Sequence, residues 1–377
     1  MKILRTIESF YPYVTGPARQ AYRISAELES RNISSPILTT YCNVDKTLPK
    51  REPYDRVHIT RFKNQIQIMR YCVSLEMLVE LKNFDILHSH SYRSFQTDAG
   101  CLAAMFRRKP FVLSTHGSLL GYRHILRSKF MHLPYRIYDV GTFKTVLRMA
   151  DAIVVSSKNE YAEALEFGVD KKKIYPIPAG IDISDYEPHQ GKSNEVLNLL
   201  FVGRIARDRH LEPIIRALRY LDKVKLTIVG GEEKRSSLSP GGYLSELKTL
   251  VDELGVEAHI IFVGRKYGTA LTSYYQAADV FVYTSLYENL GQTLLEAAAS
   301  SLPIISTPVG VAPEIVIDGE TGFLVGDDPR MISERIRELG DAFTRKEFGA
   351  RIKEIVKEKF AWSNIIDQYV EIYQHLL

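Results

Sequence analysis

What most constrains the fold is a succession of short, almost wholly apolar, β-branched runs separated by helix-length segments. In the first half they read KILRTI, SSPILTTY, VHITRF, DILHSH, PFVLSTH, DAIVVSS and KIYPIP; in the second, LNLLFVG, KLTIVGG, HIIFVGR, DVFVYTS and LPIISTP. Runs that are apolar on both sides of the pleat belong to strands covered on both faces, the mark of parallel sheets wrapped by helices. At 377 residues the chain is too long for one ordinary core, which predicts two domains of under about 200 residues each. The polar stretch DISDYEPHQGKSNE, residues 182–195, contains Pro188 and Gly191 and reads as the linker. The expected architecture is α/β, with two doubly wound, Rossmann-like domains at residues 1–186 and 187–361. A closing helix over about 362–377 is expected to pack back on the first domain. The parallel sheets should face each other across a cleft, with ligands at the carboxyl ends of the strands.

Such a fold hosts many functions, so exclusions matter. Neither half carries GxGxxG after its first strand and there is no P-loop, which argues against nicotinamide, flavin and NTPase chemistry. A content of 45% hydrophobic and 25% charged residues is that of a globular protein. Cys42, Cys72 and Cys101 are dispersed and odd in number; they suit neither a disulfide framework nor a zinc knuckle and suggest a reducing compartment. MKILRTIESFYPY lacks the apolar core of a signal peptide, and no stretch approaches the roughly 18 apolar residues of a membrane span. The expectation is a cytoplasmic protein, at most peripheral on the cytoplasmic face of a membrane. Residues 1–186 hold 27 Lys/Arg against 18 Asp/Glu, while residues 187–377 hold 22 against 27. A basic first half attracts anions or anionic surfaces, unless the excess is chance scatter. Nothing points to nucleic acid.

The richest stretch is Ser285–Gly310, SLYENLGQTLLEAAASSLPIISTPVG. A strand ends, a loop holds Glu288, Asn289, Leu290 and Gly291, and a helix follows from Gln292. A helix start offers unpaired amides and partial positive charge, a seat for a diphosphate. Glu288 and Glu296 are separated by two helical turns, roughly 12 Å along the axis. That span suits one carboxylate at a sugar and another at a ribose, since charged acceptors bind hydroxyls strongly. An amphipathic helix with two solvated glutamates would look the same by spacing alone.

The stretch resembles the E-x7-E motif of retaining glycosyltransferases of family 4, which have the GT-B fold. AADVFVYTS before it and EAAASSLPIISTPVGVAPEIVIDGETGFLV after it are similar too. The resemblance implies that Glu288 meets the donor sugar, that Asn289, Leu290, Gly291 and Gln292 meet the diphosphate, and that Glu296 binds the ribose. In LLFVGRIARDRHLEPIIRAL, Arg204 and Arg209 are then expected at the phosphates, where fixed cations replace a metal. Arg209 and His210 stand where the family has Lys and Gly, and Arg209→Lys is expected to be nearly tolerated. Gly264 is expected at the base, bordered by Arg265 and Lys266. FYPYVTGPAR resembles the family's P-x-x-x-G-G loop with its last glycine replaced. Gly16 can approach the donor, whereas Pro17 has no N–H to offer. His116, ending PFVLSTH, matches a family histidine close to the donor sugar. His88 and His90, in ILHSHS, face the same side of a strand; with no third ligand in view they read as cleft-lining or structural rather than as a metal pair.

Retention in hydrolases uses two carboxylates about 5 Å apart, one of them a nucleophile. No candidate nucleophile appears here, and the resemblance implies front-face displacement instead. There is no D-x-D motif, so neither metal nor other cofactor is expected. The expected partners are a UDP-, GDP- or ADP-sugar and a carbohydrate or lipid-linked acceptor. A non-catalytic nucleotide-sugar binding subunit is the alternative, suggested by Pro17, Arg209 and His210. A phosphorylase, an epimerase or a dehydrogenase would be further alternatives.

Residues 100–150 hold nine cations (Arg107, Arg108, Lys109, Arg123, Arg127, Lys129, Arg136, Lys144 and Arg148) and one acid, Asp139. Phe106, Tyr122, Phe130, Tyr135, Tyr138 and Phe143 are interleaved with Leu119, Leu120, Ile125 and Leu126. The segment reads either as an element for an anionic membrane surface, or as a solvated face whose rings pack on the core.

Overall fold

The computed structural model describes residues 1–13, 15–68, 71–125, 129–142, 144–186, 195–232 and 241–377. Pro188 and Gly191 of the expected linker, and Leu126, Arg127 and Phe143 of the basic segment, lie outside the described residues. The chain forms two compact units: Met1–Pro178 with Ile365–Leu377, and Ala179–Asn364.

In the first unit the strands are β1 (Ile3–Thr6), β2 (Ile37–Thr40), β3 (Arg51–Tyr54), β4 (Val57–Phe62), β5 (Ile66–Ile68), β6 (Tyr71–Val73), β7 (Ile86–His90), β8 (Phe111–Ser114), β9 (Ala152–Val155) and β10 (Ile174–Pro176). Eight of them form one sheet in the order β10-β9-β8-β7-β1-β2-β4-β3. Every pairing in it is parallel except β3 against β4. β1, β7, β8 and β9 are buried along their whole length, as strands covered on both faces must be. The sequence runs do not reveal β3, β5 or β6: REPY carries a proline at the sheet edge, and the β5–β6 hairpin stands apart as its own small sheet.

The second unit holds β11 (Leu197–Val202), β12 (Val224–Val229), β13 (Ile260–Gly264), β14 (Val280–Tyr283), β15 (Ile304–Ser306) and β16 (Gly322–Leu324). Its order, β13-β12-β11-β14-β15-β16, is wholly parallel. This is the doubly wound arrangement, whose order reverses between the first and fourth strands. The corresponding reversal in the first unit lies between β1 and β7.

Sequence polarity sets a linker at residues 182–195, but the second core begins earlier. Ala179 and Ile181 are buried in it, Ile181 bridges Ala361, and Gly180 lies so close to the Trp362 ring that a Cβ would come within 2.5 Å. The last helix, Trp362–Leu376, contributes its residues from Ile365 onward to the first unit, where Tyr369 and Tyr373 are fully buried.

Candidate active site

In the second unit the loop after β14 leads into a buried helix, Gln292–Ala299, at the point where strand order reverses. Two glycines shape that loop. Gly291 caps the helix at φ 84°, a left-handed conformation in which a Cβ would also strike Leu294 at 2.7 Å. Gly310 runs beneath it, and its Cβ would fall 2.3 Å from the Leu290 carbonyl, which accepts the Val311 amide at 2.7 Å. The segment from Glu288 to Gln292 is therefore fixed from below, with the helix start behind it.

Glu288 accepts a hydrogen bond from the Tyr283 hydroxyl and an ion pair from Arg209 Nη2 at 3.0 Å. Arg209 is buried and forks across the loop, its Nη1 donating to Ser285 Oγ (3.0 Å) and to the Tyr287 carbonyl (3.2 Å) and pairing with Asp208 at 3.1 Å. Burial works against its charge, but the Glu288 and Asp208 carboxylates outweigh burial and hold the guanidinium firmly protonated. His210 is left-handed at φ 45°, a conformation a glycine adopts without strain. Arg204 is 40% exposed and pairs with Asp208 at 3.2 Å.

Glu296 is buried and accepts from the Tyr275 hydroxyl at 2.9 Å. Burial and the Glu296 charge raise that phenol well above its ordinary pKa. Gly264 ends β13 at φ 82°, with open space where a Cβ would sit. Arg265 beside it is exposed and donates to the Glu232 carbonyl at 3.2 Å. The second unit thus brings Arg204, Arg209, Glu288 and the start of the Gln292 helix together, while Glu296 lies within the helix body and Gly264 at the end of another strand.

In the first unit, Gly16 opens the helix Gly16–Ser30. Thr15 caps the Ala18 amide and Pro17 has none to give; Gly16 is the first residue of the helix and carries an amide. His116 follows β8 at φ 51°, half-buried, on a turn pinned by Glu160. That buried carboxylate accepts from Thr115 Oγ1 (2.6 Å), from the Gly117 amide, and from the Ser156 amide and hydroxyl (2.7 Å each). Glu160 was not singled out from the sequence. Its signal was the S-x-x-E capping box of Ser157 and Glu160.

Beneath His116 lies a row of imidazoles. His90 and His116 rings are 5.1 Å apart and His88 and His90 rings 4.7 Å, each nearly parallel. Arg5, fully buried on β1, donates from Nη1 to His88 Nδ1 (2.8 Å) and His90 Nε2 (3.3 Å), from Nη2 to the Tyr373 hydroxyl (2.9 Å), and from Nε to Ser35 (3.0 Å). Burial foremost, then the neighbouring cation and rings, pushes His88 and His90 well below the ordinary histidine pKa, so both are neutral at pH 7. Among the described residues no group of three or more His, Cys, Asp or Glu could hold a metal.

The basic segment divides in two. Tyr122 and Tyr135 stack at 4.4 Å against half-buried Arg93, which Asp139 holds by two hydrogen bonds of 3.0 and 2.8 Å. Leu119 and Leu120 are buried. Phe130 is 81% exposed and, with exposed Leu133, Ile137 and Val140, forms one apolar row along and just before the helix Leu133–Gly141. No described helix is long and apolar enough to cross a membrane.

Comparison with known proteins adds lineage to this geometry. Residues 182–354 match the family described as glycosyl transferases group 1, and residues 14–185 match Glycosyltransferase Family 4. Alpha-maltose-1-phosphate synthase of Mycolicibacterium smegmatis is 27% identical over 332 residues, covering 80% of this chain and 81% of that protein. D-inositol 3-phosphate glycosyltransferase of Mycobacterium leprae is 27% identical over 310 residues, covering 78% and 70%. Among solved structures, Anabaena HepE in complex with UDP superposes with a TM-score of 0.80 at 19% identity, covering 100% of both chains. Sucrose-phosphate synthase from Thermosynechococcus elongatus does so at 0.78 and 22%, covering 100% of this chain and 98% of that one.

Proposed function

We propose that this chain, which belongs to the glycosyltransferases of family 4, transfers a sugar from a nucleotide-sugar to an acceptor hydroxyl with retention and without a metal. The observation that carries this reading is the fixed carboxylate of Glu288, set at the start of the Gln292 helix beside Arg209 and the more exposed Arg204. Glu288 accepts from donor sugar hydroxyls. The amides from Asn289 to Gln292 take the diphosphate. Glu296 takes the ribose, while Gly264 and Arg265 border the base. Arg204 and Arg209 supply positive charge as the diphosphate departs, and Arg209 does so while holding Glu288 in place. In the front-face step, the bond from the anomeric carbon to the phosphate oxygen breaks and the acceptor oxygen bonds to the same face. The acceptor's proton passes to the departing phosphate. The protein's part is positioning and charge stabilisation.

A thermal-shift panel of UDP-, GDP- and ADP-sugars identifies the donor, since a ligand at 100 times its Kd stabilises by about 2.7 kcal/mol. A UDP-sugar goes first because HepE carries UDP on the same fold. With the donor known, Glu288→Gln is expected to lower turnover at least about a hundredfold with the fold intact. Near-native turnover would sink the assignment, and a product of inverted anomeric configuration would overturn retention. Donor hydrolysis separates an enzyme from a mere nucleotide-sugar binding subunit.

The acceptor reading is a lipid-linked or anionic molecule at an anionic membrane surface. The exposed row Phe130, Leu133, Ile137 and Val140, with Arg136 beside it, supports this reading. Sedimentation with anionic vesicles should show binding that salt weakens and that Ile137→Ser/Val140→Ser abolishes. No binding to anionic or neutral vesicles would favour a soluble carbohydrate acceptor.

A further inference from the structure

The hydrogen bonds beneath His116 have only one consistent direction. A guanidinium has no lone pair to offer, so Arg5 donates to His90 Nε2 across 3.3 Å and that nitrogen carries no proton. Neutral His90 must then hold its proton on Nδ1, and Nδ1 lies 2.8 Å from His116 Nε2. Were His116 the donor, His90 would have lone pairs on both nitrogens and would be an imidazolate. The bond therefore runs from His90 to His116, which fills the Nε2 lone pair of His116 and leaves its proton on Nδ1. His88 is fixed in the same way: its Nδ1 accepts from Arg5 and from the Tyr373 hydroxyl at 2.7 Å, which itself accepts from Arg5, so the His88 proton sits on Nε2, 2.8 Å from Ser114 Oγ.

We propose that Arg5 and His90 are positioning residues that hold His116 as the Nδ1-protonated tautomer, so that it meets substrate as a neutral hydrogen-bond donor and not as a base. Its role in the reaction rests on the reading of His116 as the residue at the donor sugar; the tautomer does not. The arrangement suits front-face transfer. The proton acceptor there is the departing phosphate, and a histidine able to accept a proton would compete with it. To serve as a base, His116 would have to give up its bond to His90. The cation at the far end of the relay has neutral partners, so its field polarises both rings and strengthens the terminal donor.

The test uses the full chain with ¹⁵N-labelled histidine and reads the two-bond ¹H–¹⁵N pattern of each ring, with His116 assigned by its loss in His116→Asn. Wild type is expected to show His116 protonated on Nδ1. His90→Leu should move the proton to Nε2 and lower turnover by roughly tenfold or more, at nearly unchanged KM for the donor. His90→Asn, whose amide can donate in place of Nδ1, should restore both and so answers any doubt about folding. An Nε2-protonated His116 in wild type, or an Nδ1-protonated one in His90→Leu, overturns the relay. A shifted tautomer with unchanged turnover overturns the positioning role. If His116→Asn itself turns over normally, the reading of His116 at the donor has failed, which is a separate result.

Discussion

Arg5 and Arg209 are both buried, one in each unit, and they are held in opposite ways. Arg209 is neutralised on the spot by Asp208 and Glu288. Arg5 is bonded to two imidazoles, a phenol and a hydroxyl, and among the described residues no carboxylate stands within ion-pair distance of it. Burial raises the Tyr373 phenol, although Arg5 pulls it back, so this partner too is neutral at pH 7. Burying a charge is costly unless it is paired and hydrogen-bonded. In the second unit the pairing itself fixes the orientation of a carboxylate. In the first, hydrogen bonds alone carry the cation, and its field is left to act along the histidines.

The largest expected effect is on stability. Arg209→Met leaves Glu288 without its cation and Asp208 with only the more exposed Arg204, and should cost about 3–5 kcal/mol. Arg5→Met leaves only neutral acceptors, which can turn to one another, and also removes a buried charge that no carboxylate offsets, so the net loss should be smaller. Trp362, the only tryptophan, belongs to the second unit and reports on it. Arg209→Met should therefore shift the denaturant transition seen by fluorescence. Arg5→Met should leave that transition in place and shift part of the circular dichroism signal. A greater loss from Arg5→Met would mean that a negative group neutralises Arg5 after all.

A smaller effect should appear with pH. His88 and His90 are depressed in the folded chain from an unfolded value of 6.5. Below pH 6.5 the unfolded chain binds protons that the folded chain refuses. Their contribution to stability is thus complete above 6.5 and falls as pH drops, by up to about 1.4 kcal/mol per pH unit for each histidine. Unfolding of the first unit between pH 7.5 and 5.5 should follow that slope, and His90→Asn should roughly halve it. A flat profile would mean that both rings take up protons in the folded chain as readily as in the unfolded one, and stability falling as pH rises would mean that they are charged in the fold; either would break the relay.

The two halves of this comparison were unequally legible in the sequence. The apolar strands announced both parallel sheets, because burial on two faces leaves no polar alternation to misread. The Glu288 loop and its helix are local, so residues 285–299 carried their own signature. The Arg5 cluster is assembled from positions 5, 88, 90, 116 and 373, and only strand order and the last helix bring them together. Two hints were available: an arginine inside the apolar run KILRTI, and histidines two apart on one face of a strand. Neither names its partner. At residue 209 the resemblance implies that an arginine stands where lysine is usual, but what its fork reaches is set by Asp208, Ser285 and Glu288 in the fold.

The smallest stability effect should come from Arg204, and it separates the two arginines beside Glu288. Its side chain is 40% exposed and its pair with Asp208 is a solvent-screened i,i+4 contact. Arg204→Ala should therefore change stability by less than about 1 kcal/mol. Its cost should fall on kcat more than on donor KM, as for a group that acts on charge developing in the transition state. Arg209→Lys should do the reverse of what sequence alone suggests. The guanidinium reaches Ser285 and Asp208 through Nη1 and Glu288 through Nη2. A single ammonium cannot span those partners, so the conservative change should cost more stability than deleting Arg204 outright. Denaturant unfolding and steady-state kinetics on the two variants test both halves. If Arg204→Ala proved the less stable, or Arg209→Lys were silent in both assays, the assignment of holding to Arg209 and of phosphate charge to Arg204 would have to be exchanged.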